Sequence, residues 1–178
     1  MRARDWNRIL AGLTLAPIPI VAAYAETYLN EVQAGAALFP GVALNPSEIV
    51  LSKEEEKAIE KAAKESVIDD KVKVYWGPNK EALFIDRVVG KHEYITYAVA
   101  INPDGKVKGI EIMDYRETYG YEVRAKDWRN QFVGKSAQDP IKIDKDIQNI
   151  SGSTLSSVHV TNGVRRVLKT YEIIKAKA

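Results

Sequence analysis

The sequence contains no cysteine, which excludes disulfides, thiolate-ligated iron–sulfur clusters and covalently attached c-type haem. Histidine is scarce as well. His92 and His159 are the only two, far apart and without a second ligand at metal spacing, so no metal site is predicted. An excess of charge of one sign is also missing: the formal net charge of the 178 residues is +2. A nucleic-acid footprint needs clustered Lys and Arg, and no such stripe occurs, which argues against a nucleic-acid partner. Chemistry in this chain therefore rests on carboxylates and hydroxyls, or on a borrowed cofactor.

The first 25 residues differ from the rest. Arg2, Arg4 and Arg8 form a positive start, residues 9–22 are apolar but interrupted by Pro17 and Pro19, and Ala23-Tyr24-Ala25 supplies small residues at the spacing of a cleavage site. The run is shorter than the roughly 20 apolar residues a membrane span needs. Residues 1–25 are read as a secretory signal peptide, and residues 26–178 as one exported domain, periplasmic or extracytoplasmic, or anchored if the signal is retained. Removing the segment takes away three Arg and one Asp, which brings the formal charge from +2 to zero.

Along the remaining chain, "ETYLNEVQAGAALFPG" predicts a short helix with Leu29, Val32, Ala36 and Ala37 on one face, ending at Pro40-Gly41. Ser52 followed by Glu55 is a capping box that opens a mostly solvated helix. From Lys71 the period becomes that of strands. "KVKVYWG", "EALFIDRVVG", "EYITYAVAI" and "KVKGIEIMDY" read as four strands, the last two joined by a turn at Asn102-Pro103-Asp104-Gly105. "GYEVRAKDWRNQFVGKS" contains a short helical segment with Trp128 and Phe132 four apart as core anchors. A final helix covers about residues 155–175, with Val158, Val164, Val167, Leu168 and Tyr171 on its apolar face. The predicted fold class is α+β, an antiparallel sheet with packed helices.

The most distinctive stretch is "NISGSTLSSVHVTNGVRRVLKTYE". Ser151, Gly152, Ser153, Thr154, Ser156 and Ser157 crowd the start of that last helix, where the first backbone N–H groups have no intrahelical partner and positive partial charge gathers. Three readings are open for them: redundant helix capping, a phosphate cradle, or a point of covalent attachment. A serine hydrolase is disfavoured, because His159 lies only two residues after Ser157, a poor helical relation for a nucleophile and its base.

"SGSTLSS" followed by "VTNGVRRVL" resembles the "SGAT-x-(S/T)S…VT-x-(A/G)V" signature of the FMN-binding domain family. "GIEIMDYRETYGYEV" is similar to that family's strand and Glu-x-x-Gly loop, and "DWRNQFVGK" to its Trp–Phe–Gly–Lys segment. The resemblance implies FMN as cofactor, joined through its phosphate to the threonine of the signature, which is Thr154 here, by an FAD:protein FMN transferase. Ser151, Gly152, Ser153, Leu155 and Ser156 would surround the phosphate. By the same resemblance, the loop Glu117, Thr118, Tyr119 and Gly120 would lie against the flavin ring, and Lys135 would bring a cation toward the phosphate or the ring's carbonyl edge. Two positions depart from the signature: Ser153 stands for the family's alanine, and Gln148 for the aspartate three residues before its serine. The function implied is electron carriage between membrane or periplasmic redox proteins, with the protein holding the flavin and setting its potential and exposure. The alternative is a non-redox accessory module on the same fold, with noncovalent flavin or none.

Overall fold

In the computed structural model, residues 26–27 and 29–177 are described; the segment read as a signal peptide, residues 1–25, lies outside them. A six-stranded antiparallel sheet forms the centre. In chain order its strands are β1 (Glu26–Thr27), β2 (Asn45–Val50), β3 (Lys71–Trp76), β4 (Ala82–Val89), β5 (Tyr94–Ile101) and β6 (Val107–Tyr115). They lie side by side as β1-β6-β5-β4-β3-β2. From β2 to β6 each strand pairs with its sequence neighbour, and two-residue β1 closes the far edge against Tyr115 and Asp114 of β6. The predicted turn at residues 102–105 is present, with Gly105 at φ 79 and its N–H donating to Asn102 O at 2.9 Å.

Among the described residues, four α-helices accompany the sheet: α1 (Glu31–Leu38), α2 (Lys53–Ala63), α3 (Lys126–Arg129) and α4 (Thr154–Ile174). The α+β class read from the sequence therefore holds. Helix α2 begins with the predicted capping box: Ser52 Oγ accepts from Glu55 N–H, and the Glu55 carboxylate accepts from Ser52 N–H at 2.9 Å. The main core lies between one sheet face and α2 and α4, and includes Phe84, Tyr97, Val99, Ile110, Val160, Val164 and Leu168. A smaller core on the opposite face joins Ala34, Leu38 and Phe39 to Leu83, Ala98, Ala100 and Met113.

Three details differ from the sequence reading. Helix α1 buries Ala34, Gly35 and Leu38, not the face of Val32, Ala36 and Ala37; Val32 is 81% exposed. On the buried face the helix packs closely at Gly35, where an added Cβ would stand 3.1 Å from Leu44 and 3.6 Å from Leu83 of β4. Strand β2 escaped notice because "NPSEIV" opens with Asn-Pro and has little alternation; it is an edge strand, where proline is tolerated. The segment around Trp128 is only one helical turn flanked by 3-10 turns at Tyr121–Arg124 and Asn130–Phe132. Its aromatic pair still packs edge to face at 5.2 Å, and both rings are buried.

Helix α4 approaches the sheet closely because Gly163 has no side chain. A Cβ there would stand 2.2 Å from Tyr97 Oη and 2.7 Å from Val88 Cγ1. Tyr97 Oη donates to Asp86 at 2.7 Å, and the same carboxylate oxygen receives Arg166 Nη2 at 2.9 Å. Arg166 also donates to the carbonyls of Ser66 and Arg87, so this buried charge is paired and both terminal nitrogens donate. Burial opposes the charge of Arg166, but Asp86, Tyr97 and Glu65 together outweigh that and raise its pKa. Gly163→Ala is expected to destabilise the fold by about 1–3 kcal/mol through overpacking. In urea denaturation, Tyr97→Phe in the same chain should lessen the loss below the sum of the two single changes, because it removes the hydroxyl that the new methyl meets.

Candidate functional site

The end of β6 is clamped to the start of α4. Tyr115, the last residue of β6, is buried, and its hydroxyl lies 2.9 Å from Ser156 Oγ. The same hydroxyl donates to the carbonyl of Tyr119. Gly120, at φ 97, then passes directly over this pair: a Cβ would stand 2.5 Å from both Ser156 Oγ and Tyr115 Oη. The glycine is thus required twice, once for its backbone conformation and once for the close approach. Two residues on, Glu122 accepts a hydrogen bond from Ser153 Oγ. The turn of residues 121–124 is therefore held at two points to the first turn of the last helix.

This arrangement removes one of the readings of the hydroxyl-rich stretch. Ser153 occupies the N-cap position of α4, yet no side chain caps the helix. Its hydroxyl goes to Glu122 instead. Ser156 is engaged by Tyr115, and Ser157 Oγ donates to Asn149 Oδ1 at 2.7 Å, with the carbonyls of Ser153 and Thr154 also close. Redundant capping is not what these hydroxyls do. Among the described residues, the amides of Leu155 and Ser156 have no acceptor, whereas the Ser157 amide reaches Ser153 O at 2.9 Å.

Thr154 is the first helical residue and is exposed. Its hydroxyl has one long contact, 3.4 Å from Asn149 Nδ2. Ser151 and Gly152 before it are exposed too, and Gly152, at φ 85, has open space where a Cβ would be. Exposed apolar groups stand on this part of the chain: Tyr119 at 81%, Tyr121 at 57% and Leu155 at 51%. Open clefts lie to either side of the turn of residues 121–125. One, of about 680 Å³, is lined by Leu29, Glu111, Tyr121, Glu122, Arg124 and Arg129. The other, of about 480 Å³, is lined by Glu122, Trp128, Gln131, Gln148, Asn149 and Ser151 among others.

The remaining residues singled out in the sequence sit as follows. Glu117 faces back toward the turn between β4 and β5, where its Oε1 accepts from His92 N–H at 2.6 Å and Glu93 N–H at 3.0 Å. Burial raises its pKa, but these backbone donors outweigh burial and hold the carboxyl below its ordinary value. Thr118 is exposed. Lys135 is paired with Asp146 at 3.0 Å, on the loop that precedes the hydroxyl-rich stretch. Gln148 is exposed, its N–H donates to Gln131 Oε1 at 2.7 Å and its carbonyl accepts from Trp128 Nε1 at 2.8 Å, which fixes the approach to α4. Sequence reasoning missed Tyr115, Glu122 and Asn149. They lie 41, 31 and 8 positions from the serines they hold, and no local periodicity encodes such pairings.

An uncapped 21-residue helix with an exposed threonine at its first position and a glycine-opened approach fits a phosphate in its donors and its space. The exposed rings beside it fit a flat aromatic group. Comparison with known proteins agrees. Residues 90–169 match the family model of the FMN-binding domain, and the motif resemblance is to that same family. The chain is 29% identical over 198 residues to a subunit of the Na(+)-translocating ferredoxin:NAD(+) oxidoreductase complex of Acetobacterium woodii, covering 94% of each protein. It is 39% identical over 83 residues to a subunit of the proton-translocating ferredoxin:NAD(+) oxidoreductase complex of Clostridium ljungdahlii, covering 42% of this chain and 44% of that relative.

The lowered pKa of Glu117 has a pH consequence. Its contribution to holding the loop of residues 117–120 is complete above the ordinary glutamate value of 4.5 and is lost as pH falls from there through the folded value. The protection of amides 90–93, measured as exchange relative to the intrinsic rate at each pH, should therefore fall on acidification below pH 4.5. In Glu117→Gln that pH-dependent loss of protection should be largely absent.

Proposed function

We propose that this protein is an exported electron carrier that holds one FMN, attached by its phosphate to Thr154, and exchanges electrons with membrane-associated redox partners. The observation that carries this reading is the mouth of α4. Every other hydroxyl there that is buried is committed to Glu122, Tyr115 or Asn149, while Thr154 faces outward beside amides without acceptors. The FMN-binding domain match across residues 90–169 supplies the identity of the group. The two relatives named above, each part of a ferredoxin:NAD(+) oxidoreductase complex, support redox partners at a membrane. Among the described residues no helix is long and apolar enough to cross a bilayer. Export rests on the composition of residues 1–25.

Attachment uses FAD as donor and a separate FAD:protein FMN transferase. Thr154 Oγ forms a bond to the flavin-side phosphorus, the bond from that phosphorus to the bridging oxygen breaks, AMP leaves, and the threonine proton is released. Once bound, FMN supplies the one- and two-electron chemistry. The residues of this chain hold and expose it. The amides of Leu155 and Ser156 face the diester charge at the positive end of the helix, Gly152 leaves room for the phosphate, and Tyr119 and Tyr121 offer rings to the isoalloxazine. Gln131 and Trp128 fix the backbone of Gln148, so the stretch before Ser151 is presented to the transferase in one conformation.

Export of the chain in cells that also express the transferase tests this directly. Intact mass should rise by FMN less water, and the increment should map to the peptide containing Thr154. Thr154→Ala should abolish it while leaving the thermal midpoint of the unmodified protein nearly unchanged, because this side chain is exposed. An unmodified mass beside an active transferase would favour the accessory-module reading, in which flavin is bound loosely or not at all.

A further inference from the structure

Ser153 stands where the family signature has alanine, and a serine at an N-cap would ordinarily turn its oxygen onto the amides of the second and third helical residues. Those amides belong to Leu155 and Ser156, the ones proposed above to meet the phosphate. Two features keep Ser153 from doing so. Its backbone, at φ −124 and ψ 26, is outside the extended region of an ordinary cap, and its hydroxyl donates to Glu122. Ser153 is 3% exposed, so the hydroxyl has no water to turn to, and Glu122 is held in place by a turn entered through Gly120, which is wedged against Ser156 and Tyr115. By contrast, Asn30 and Ser52 accept from the amides of Gln33 and Glu55 in ordinary caps of α1 and α2.

We propose that Glu122 is a positioning residue that holds the Ser153 hydroxyl away from the helix mouth and so keeps the amides of Leu155 and Ser156 open for the phosphate joined to Thr154. The carboxylate does this as an acceptor, leaving Ser153 to serve as donor. Glu122 also lines both clefts flanking the turn. With alanine at the signature position there is no hydroxyl to restrain, so the serine in this chain creates the need for Glu122. This inference rests on the reading of Thr154 as the attachment point, but it makes a claim about the free protein as well.

Four variants of the full chain test it: Glu122→Gln, Glu122→Ala, Ser153→Ala, and Glu122→Ala with Ser153→Ala. Two quantities are read, the rate of FMN attachment by the transferase and the amide exchange of residues 155–156 in unmodified protein. In Glu122→Ala the hydroxyl is released, the backbone of Ser153 is free to relax to the extended region of an ordinary cap, and the hydroxyl caps the helix. Exchange at residues 155–156 should slow about fivefold, and attachment should slow by a similar factor, the competition a serine cap exerts. Glu122→Gln retains an acceptor and should behave as the parent. The double variant, with no hydroxyl to misplace, should recover both parental rates, which a merely structural loss at Glu122 would not permit. Unchanged exchange and attachment in Glu122→Ala, or a double variant as slow as the single one, would overturn the proposal. If the parent chain itself is never modified, the attachment reading fails separately, and unchanged exchange in Glu122→Ala would still overturn the role of Glu122.

Discussion

The clamp between the end of β6 and the start of α4 is the constraint on which the site depends. Tyr115 reaches Ser156, Gly120 crosses over both, and Glu122 takes the hydroxyl of Ser153. These contacts join parts of the chain 31 to 41 residues apart. Without them the turn carrying Tyr119 and Tyr121 would be an ordinary exposed loop, and the mouth of α4 an ordinary capped helix end. With them, two exposed rings and one exposed threonine are set on a rigid base.

A helix left without a cap forgoes about 1 kcal/mol, and α4 offsets this along the rest of its length. Val160, Val164 and Leu168 are fully buried, Gly163 allows close contact with Tyr97, and Arg166 anchors the middle of the helix through Asp86. An open helix N-terminus is in turn suited to a diester anion, because each aligned amide adds to the favourable potential at that end. Packing in the middle of α4 thus holds the helix while its first turn is left uncapped.

Much of this was legible in the sequence where the signal was local. The strand alternation of residues 71–115 gave the four long strands, Ser52 and Glu55 marked the start of α2, and the run of hydroxyls marked the start of α4. What was not legible depended on distant contacts. The burial of α1 was inverted because Val32 is the larger apolar residue, whereas Ala34 and Leu38, with Gly35 close to Leu44, form the face that packs on Leu83, Ala98, Ala100 and Met113. Nothing in the local pattern marks Arg166, yet it is 4% exposed and paired with Asp86, 80 positions away. Glu122 carried no motif of its own, since its meaning comes only from Ser153 beneath it.

Phosphorus NMR of the flavin-bearing protein, followed through a pH titration, measures the central claim most directly. A phosphate joined to both riboflavin and Thr154 is a diester with no second ionisation, so its resonance should stay fixed between about pH 5 and 8. A monoester has a second pKa of about 6, and a resonance that shifts through that value would show a flavin held without the bond to Thr154, contradicting the account.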